Sequence, residues 1–68
     1  MEIREVFAQN LKAARRAKRL SQGELANQAD LDRTYISSQE RCVYAASIDV
    51  VDRIATVLGV EAHELLRR

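Results

Sequence analysis

The sequence contains no proline or tryptophan, only two glycines and only three aromatic residues. Signals for turns and strands are therefore scarce, and aliphatic side chains and alanine must form the core, which favours helices. Cys42 is the single cysteine, so neither an internal disulfide nor a cysteine metal cluster can form. His63 is the single histidine, and we expect it at the surface or a helix end rather than in a metal site. No apolar run has the length of a signal peptide or a membrane span, which predicts a soluble protein inside the cell.

The chain length and the charge distribution restrict the architecture. A chain of 68 residues with 47% hydrophobic and 31% charged residues is typical of one globular domain, here residues 1–68. The net charge is only +1, but no acidic residue lies between Glu5 and Glu24. That interval holds five cations: Lys12, Arg15, Arg16, Lys18 and Arg19. Such a basic stripe suits contact with a polyanion, although a solvated helix face has the same pattern.

Apolar spacing and capping residues predict five short helices. Apolar residues recur three and four apart in the first and fourth segments, and Arg15 borders the first stripe. Ser21 and Glu24 form a capping box, Asp32 and Ser47 are N-caps, and Gly59 is a helix end. Two apolar faces are expected, with residues Ile3, Val6, Phe7, Leu11 and Ala14 in the first and Ile48, Val51, Ile54, Ala55 and Leu58 in the second. The fold class is therefore all-α, with helices at about 2–18, 21–29, 33–41, 47–58 and 61–67.

The second and third predicted helices, with residues 30–32 between them, form the unit that bears on function. Ala26 is small enough for the second helix to cross closely, and Leu25, Leu31 and Ile36 are expected to fix the crossing from inside. The residues expected to project outward are Arg33, Thr34, Ser37 and Ser38. Short polar side chains with one arginine suit the base edges of a DNA major groove. An ordinary helical hairpin with a solvated outer face fits the same spacing, so the pattern alone leaves both readings open.

The run LKAARRAKRLSQGELANQADLDRTYISSQER, followed by SIDVVDRIATVLGVEAHELL, resembles the phage-repressor helix-turn-helix family of lambda repressor and Cro. That family includes small bacterial regulators and the controller proteins of restriction-modification systems. The resemblance extends from Phe7 to Leu66, and LSQGELA, LDRTYIS and Glu40-Arg41 are its most specific parts. It implies a compact five-helix fold and a transcriptional repressor or controller that binds double-stranded DNA sequence-specifically, as a dimer on a pseudo-palindromic operator. It also implies that the protein, of bacterial or phage origin, acts in the cytoplasm at the nucleoid.

The same resemblance assigns roles to individual positions. Arg33, Thr34 and Ser38 occupy base-reading positions, with Ser37 as a further candidate, and Gln22 occupies the position of a glutamine that contacts a DNA phosphate. Arg15 and Glu40 occupy the positions of a buried ion pair between the first helix and the recognition helix. Further candidates for phosphate contacts are Arg41, Tyr35, Tyr44 and Arg19; Tyr35 also suits packing against the first helix.

Three residues depart from the family pattern. Asp30 and Cys42 stand where the family commonly has glycine, so both are expected to strain the backbone or alter its path. Gln39 replaces an apolar residue beside Glu40, so its amide is expected to find a partner or reach solvent.

The expected partners are DNA and a second copy of the chain. The apolar segment Val60–Leu66, with the end of the fourth helix, is predicted as the homodimer interface. No cofactor, metal or small-molecule ligand is expected, and no nucleophile–base pair or phosphate-binding loop suggests an enzyme. The alternatives are an antitoxin or protein-interaction module, and the N-terminal DNA-binding domain of a longer protein.

Overall fold

The computed structural model describes residues 2–43 and 45–68, and within them the chain forms five α-helices and no strand. The helices are α1 (Ile3–Ala17), α2 (Gln22–Gln28), α3 (Arg33–Glu40), α4 (Ile48–Leu58) and α5 (Ala62–Leu65). The predicted all-α class with five helices is confirmed. The last helix is shorter than the predicted 61–67, because the N–H groups of Leu66 and Arg67 bond to carbonyls three residues back rather than four.

Side-chain caps begin the middle helices where the sequence predicts them. The Ser21 hydroxyl accepts a hydrogen bond from the Glu24 amide at 3.0 Å, and the Glu24 carboxylate accepts one from the Ser21 amide at 2.8 Å. Asp32 accepts from the Thr34 amide at 2.8 Å at the start of α3. These bonds satisfy amides that have no partner within the helix, so they fix the residue at which each helix starts.

The first four helices end in Schellman motifs. After α2, for example, the Leu31 amide donates to the Ala26 carbonyl at 2.8 Å and the Asp30 amide donates to the Asn27 carbonyl at 3.3 Å. The left-handed residue of this motif is glycine only after α4, at Gly59. Among the described residues, Arg19, Asp30 and Cys42 take the same role with φ of 60°, 57° and 60°. Both departures at usual glycine positions, Asp30 and Cys42, therefore keep the left-handed backbone that glycine adopts without strain.

The core lies where the five helices meet. Leu11 from α1, Leu25 from α2, Ile36 from α3 and Ile54 from α4 are fully buried. Ala26, at 2% exposure, lies in the same cluster as Leu25 and Ile36, so the small residue permits the predicted close packing of α2 on α3.

Two residues predicted for the apolar faces are not buried. Ile3 is 45% exposed and Ile48 is 86% exposed. Each is the first residue of its helix, and Cβ atoms tilt towards the helix N-terminus, so these side chains extend past the edge of the core. Ile3 and Ile48 thus belong to the predicted apolar faces by their spacing, but they add to an apolar surface rather than to the core.

Candidate DNA interface

The outer surface of α3 carries three of the four predicted base-reading residues. Arg33 and Thr34 are exposed and Ser37 is half-buried, and all three line one shallow depression. Arg33 is the first residue of α3, directly after the Asp32 cap. A Cβ atom at Gly23 would lie 3.7 Å from Cδ of Arg33, so the arginine stem passes close to the first turn of α2. The structure thus places a flexible cation and two hydroxyls together in the N-terminal half of α3, close to the first turn of α2.

Ser38 does not belong to this surface. It is only 6% exposed, and it is buried together with Ile36 and Gln39. The chain folds back at this point, since the Val43 amide donates to the Ser38 carbonyl oxygen at 3.0 Å in the Schellman turn after α3. The prediction that Ser38 projects outward was therefore wrong.

Arg15 and Glu40 form the ion pair that the resemblance implies. The Arg15 guanidinium donates through Nε to Oε2 of Glu40 and through Nη2 to Oε1 at 3.0 Å. The side chains are 10% and 2% exposed, so this two-pronged pair is shielded from water. The remaining Arg15 nitrogen, Nη1, donates to the Leu20 carbonyl at 2.8 Å. The pair anchors the C-terminal end of α3 to α1.

Gln22 extends this pair to α2. Its Nε2 donates to Oε1 of Glu40 at 3.1 Å, so one carboxylate binds side chains from both α1 and α2. Gln22 is half-buried. It was predicted to contact a DNA phosphate, and in the structure its amide binds Glu40. The three side chains of Arg15, Gln22 and Glu40 are referred to below as the Glu40 cluster.

The Glu40 cluster keeps its charges ionised. Burial would raise the pKa of the Glu40 carboxyl, but hydrogen bonds from Arg15 and Gln22 and the charges of Arg15 and Lys12 outweigh burial. The pKa of Glu40 therefore lies below its ordinary value. The hydrogen bond to Glu40 also raises the pKa of Arg15. Both partners hold full charge near neutral pH.

The other residues predicted to contact phosphate differ in exposure and in their position in the fold. Arg19 and Arg41 are exposed, and each lies in the turn after its helix, following α1 and α3 respectively. Tyr35 is half-buried in α3. Tyr44 lies outside the described residues. Of the basic stripe, Arg16, Lys18 and Arg19 are exposed, whereas Arg15 is taken up by the Glu40 cluster.

Two amide side chains differ from what the sequence predicts: the surroundings expected for Gln39 were wrong, and Asn10 was not identified. Gln39 is 2% exposed, and its Nε2 neither reaches solvent nor finds a hydrogen-bond acceptor in residues 2–43 and 45–68. Asn10 donates through Nδ2 to the carbonyls of Leu65 at 3.0 Å and Arg67 at 2.8 Å, and so ties α1 to the end of α5. The signal for Asn10 was its spacing, three residues after Phe7, which puts an amide beside the apolar stripe.

The chain is similar to known regulators along nearly its whole length. The model of the helix-turn-helix family matches residues 11–65. A hypothetical transcription factor from Neisseria meningitidis serogroup B is 42% identical over 65 residues, which cover 96% of this chain and 61% of that protein. Control protein C.BamHI from Bacillus amyloliquefaciens is 42% identical over 65 residues, covering 94% of this chain and 80% of that protein. The crystal structure of the restriction-modification controller protein C.AhdI from Aeromonas hydrophila has a TM-score of 0.88 and 39% identity, covering 91% of this chain and 94% of that one.

This chain belongs to the helix-turn-helix family. The predicted class, a DNA-binding helix-turn-helix regulator of transcription, is confirmed by these relatives. The chain spans 61% of the length of the Neisseria protein it matches.

Two further features of the described residues bear on function. None of their helices combines the length and apolar character that a membrane crossing requires. Residues 2–43 and 45–68 also contain no cluster of three or more His, Cys, Asp or Glu side chains that could hold a metal ion.

Proposed function

We propose that this protein binds a specific duplex DNA site by placing α3 in the major groove and thereby regulates a bacterial promoter in the cytoplasm. The observation that carries the proposal is the exposed group of Arg33, Thr34 and Ser37 on α3, whose far end is fixed by the Glu40 cluster. A helix held in one orientation presents its side chains in a fixed register, which sequence-specific reading requires. The proposed role is regulatory rather than catalytic.

Arg33 is the proposed specificity residue. Its guanidinium can donate two parallel hydrogen bonds to O6 and N7 of guanine, a pattern that only guanine presents in the major groove. Thr34 and Ser37 are shorter, and each would add one polar contact or a contact with a thymine methyl group. Since Ser38 is buried, the proposed reading surface consists of three residues rather than four.

Contacts with the DNA backbone are assigned to a separate group. Arg19 and Arg41 are exposed cations, and Gln22 lies in the first turn of α2. Glu40 occupies one N–H of the Gln22 amide, which leaves the second N–H for a phosphate oxygen. Such contacts position the protein without reading sequence, and they make binding dependent on salt.

The substitution Arg33→Ala tests the reading role. The chain is first used to select a preferred duplex from random sequences, and binding is then compared for that duplex and for random DNA of equal length. Arg33→Ala should weaken binding to the selected duplex by about 1–3 kcal/mol and relax the preference at one symmetric pair of positions. Arg67→Ala, the same charge change in the exposed tail after α5, is the control for general electrostatics. An equal loss on both DNAs would show that Arg33 contacts phosphate instead.

We also propose that the protein acts as a homodimer through its exposed apolar surface. Ile48 and Leu66, at 86% and 40% exposure, line a shared groove with Ala46 and Val51. The sequence predicts an interface of Val60–Leu66 with the end of the fourth helix, whereas the groove proposed here combines Leu66 with the start of α4. One recognition helix reads only a few base pairs, and a dimer places two helices about one turn of DNA apart.

Sedimentation of Ile48→Lys tests the dimer. We expect the wild type to sediment as a dimer at micromolar concentration and Ile48→Lys as a monomer with weaker binding to the selected duplex. Val43→Lys is the control, because Val43 is a half-exposed apolar residue that does not line the groove. A wild-type monomer at high concentration, both free and on DNA, would overturn the proposal.

The same groove also suits the alternative of a protein-interaction module, such as an antitoxin. In that case, a second small protein should copurify with the chain from its own organism and be lost from Ile48→Lys.

A further inference from the structure

A separate cleft opens between the start of α1, the end of α3 and the segment that leads into α4. Its volume is about 170 Å³, and its lining is mainly apolar, with Ile3, Phe7 and Leu66 among its walls. Two polar side chains, Arg4 and Gln39, also line it. Of the expected DNA-contacting residues that the structure describes, none belongs to this lining, so the cleft is distinct from the candidate DNA interface formed by those residues.

Gln39 gives this cleft a chemical preference. The residue is 98% buried, and Nε2 has no acceptor among the described residues. A buried amide without a partner is unfavourable, so an acceptor supplied from outside would be bound with a gain in free energy. A water molecule fits poorly here, since ordered buried waters need two to four polar partners and the remaining walls are mainly apolar.

Arg4 adds a positive charge at the same cleft. It is exposed and, among the described residues, no ion pair to it is formed. None of the described residues that line the cleft is acidic. An occupant with a negative charge therefore meets one cation, and it reaches the unpaired N–H donor when the Gln39 amide turns towards the cleft, because Nε2 has almost no accessible surface in the observed conformation. The apolar walls require the rest of the occupant to be apolar.

We propose that this cleft binds a small organic carboxylate with an apolar body about the size of one six-membered ring. An engineered protein cavity of about 150 Å³ holds one benzene molecule, so the volume here suits a ring of that size. One carboxylate oxygen accepts the hydrogen bond from Gln39 Nε2, and Arg4 neutralises the charge. The proposal does not depend on DNA binding.

The test uses the 68-residue chain with benzoate as the probe, and it compares benzoate with two similar molecules that lack its charge or both its charge and its acceptor. Benzamide keeps an acceptor without the charge, and toluene has neither. In ¹H–¹⁵N NMR spectra, benzoate should shift the side-chain NH₂ signal of Gln39 and the amides of the cleft at millimolar concentration. The expected order of affinity is benzoate, benzamide, toluene. The proposal would be overturned if none of the three probes shifted the side-chain NH₂ signal of Gln39.

Two variants separate the contributions of the polar residues. Gln39→Leu should weaken benzoate binding about threefold to tenfold, since one hydrogen bond is lost. Arg4→Gln, at an exposed position, should weaken benzoate about twofold to fivefold and leave benzamide unchanged. Gln28→Leu, at an exposed glutamine in α2, is the matched control and should bind like the wild type. Equal benzoate affinity in Arg4→Gln and the wild type would contradict the assigned site even if Gln39→Leu does not fold.

A second copy of the chain is the competing occupant, because the cleft shares Ala46, Val51 and Leu66 with the groove proposed for dimerisation. The Gln39 NH₂ signal is therefore also followed against protein concentration without a probe. A shift with concentration alone, together with no response to benzoate in Ile48→Lys, would assign the cleft to the second copy and overturn the ligand proposal.

Discussion

The ion pair of the Glu40 cluster predicts a strong energetic coupling between Arg15 and Glu40. Removing one partner leaves a charge in a site that is 2–10% exposed, and such losses are about 3–5 kcal/mol. A domain of 68 residues is stable by about 3–10 kcal/mol, so either single variant should lie close to the limit of folding. We expect Arg15→Met and Glu40→Met each to lower the free energy of unfolding by about 3–5 kcal/mol.

The double variant should lose much less than the sum. With both charges gone, two methionines fill the space, and the Leu20 carbonyl and the Gln22 amide each lose one hydrogen-bond partner. Gln22 is half-exposed and can turn to water, so the remaining loss should be about 1–3 kcal/mol. The two single losses sum to about 6–10 kcal/mol, so the expected coupling energy is at least about 3 kcal/mol.

Urea unfolding followed by circular dichroism measures all four corners of this cycle. Because the single variants are marginal, all proteins are studied at about 10 °C in the same concentration of trimethylamine oxide, which strengthens burial. Arg16→Met is the control, an exposed arginine beside Arg15, and should change stability by no more than about 0.5 kcal/mol. Additivity within about 0.5 kcal/mol, or single losses below about 1 kcal/mol, would refute the buried pair.

Three further predictions follow from single residues. Because the pKa of Glu40 is lowered on folding, its contribution to stability is complete above the ordinary value of 4.5 and lost as pH falls below it. Urea titrations from pH 7 to pH 3 should thus show a steeper loss for the wild type than for Glu40→Gln, and parallel curves would contradict this. Cys42→Gly should raise the free energy of unfolding by about 0.5–1 kcal/mol, because glycine adopts φ near 60° without strain. A thermal melt measures this change, and a lower stability of Cys42→Gly would show that the thiol packs favourably. Asn10→Leu should lower the free energy of unfolding by about 1–3 kcal/mol and speed hydrogen exchange in α5, while exchange unchanged there would show that its bonds to Leu65 and Arg67 do not hold the helix.

Local signals in the sequence account for most of the fold. Ser21, Asp32 and Ser47 begin helices because a hydroxyl or carboxylate next to an apolar period satisfies free amides, and all three caps are present. Such bonds depend on neighbours two or three residues away, so the sequence contains all the information they need. The length of α5 was predicted less well, because its last turn changes to a tighter hydrogen-bond pattern.

Burial at the margins of helices could not be predicted in the same way. The helical period gives the direction of a side chain around the helix axis, but it does not show whether another part of the chain covers that side of the helix. Ile48 has the correct angle and extends past the core, whereas Ser38 has a polar side chain and is buried. Gln39 was expected to pair or reach solvent, and it does neither among the described residues. Each of these outcomes depends on the tertiary position of the chain around α4 or after α3.

The Glu40 cluster and Arg33 act at opposite ends of α3, so their effects on stability and binding should separate. Arg33 is exposed, and Arg33→Ala removes no buried contact, so it should weaken DNA binding with little change in unfolding. Glu40 contacts α1 and α2 at the end of α3 that is far from Arg33. The double variant Arg15→Met with Glu40→Met should therefore be more stable than either single variant, although α3 loses its polar anchor to both helices. If the anchor fixes the register of α3, the double variant should keep its affinity for random DNA and lose preference for the selected duplex. A folded double variant with full preference would show that apolar packing around Ile36 alone orients the recognition helix.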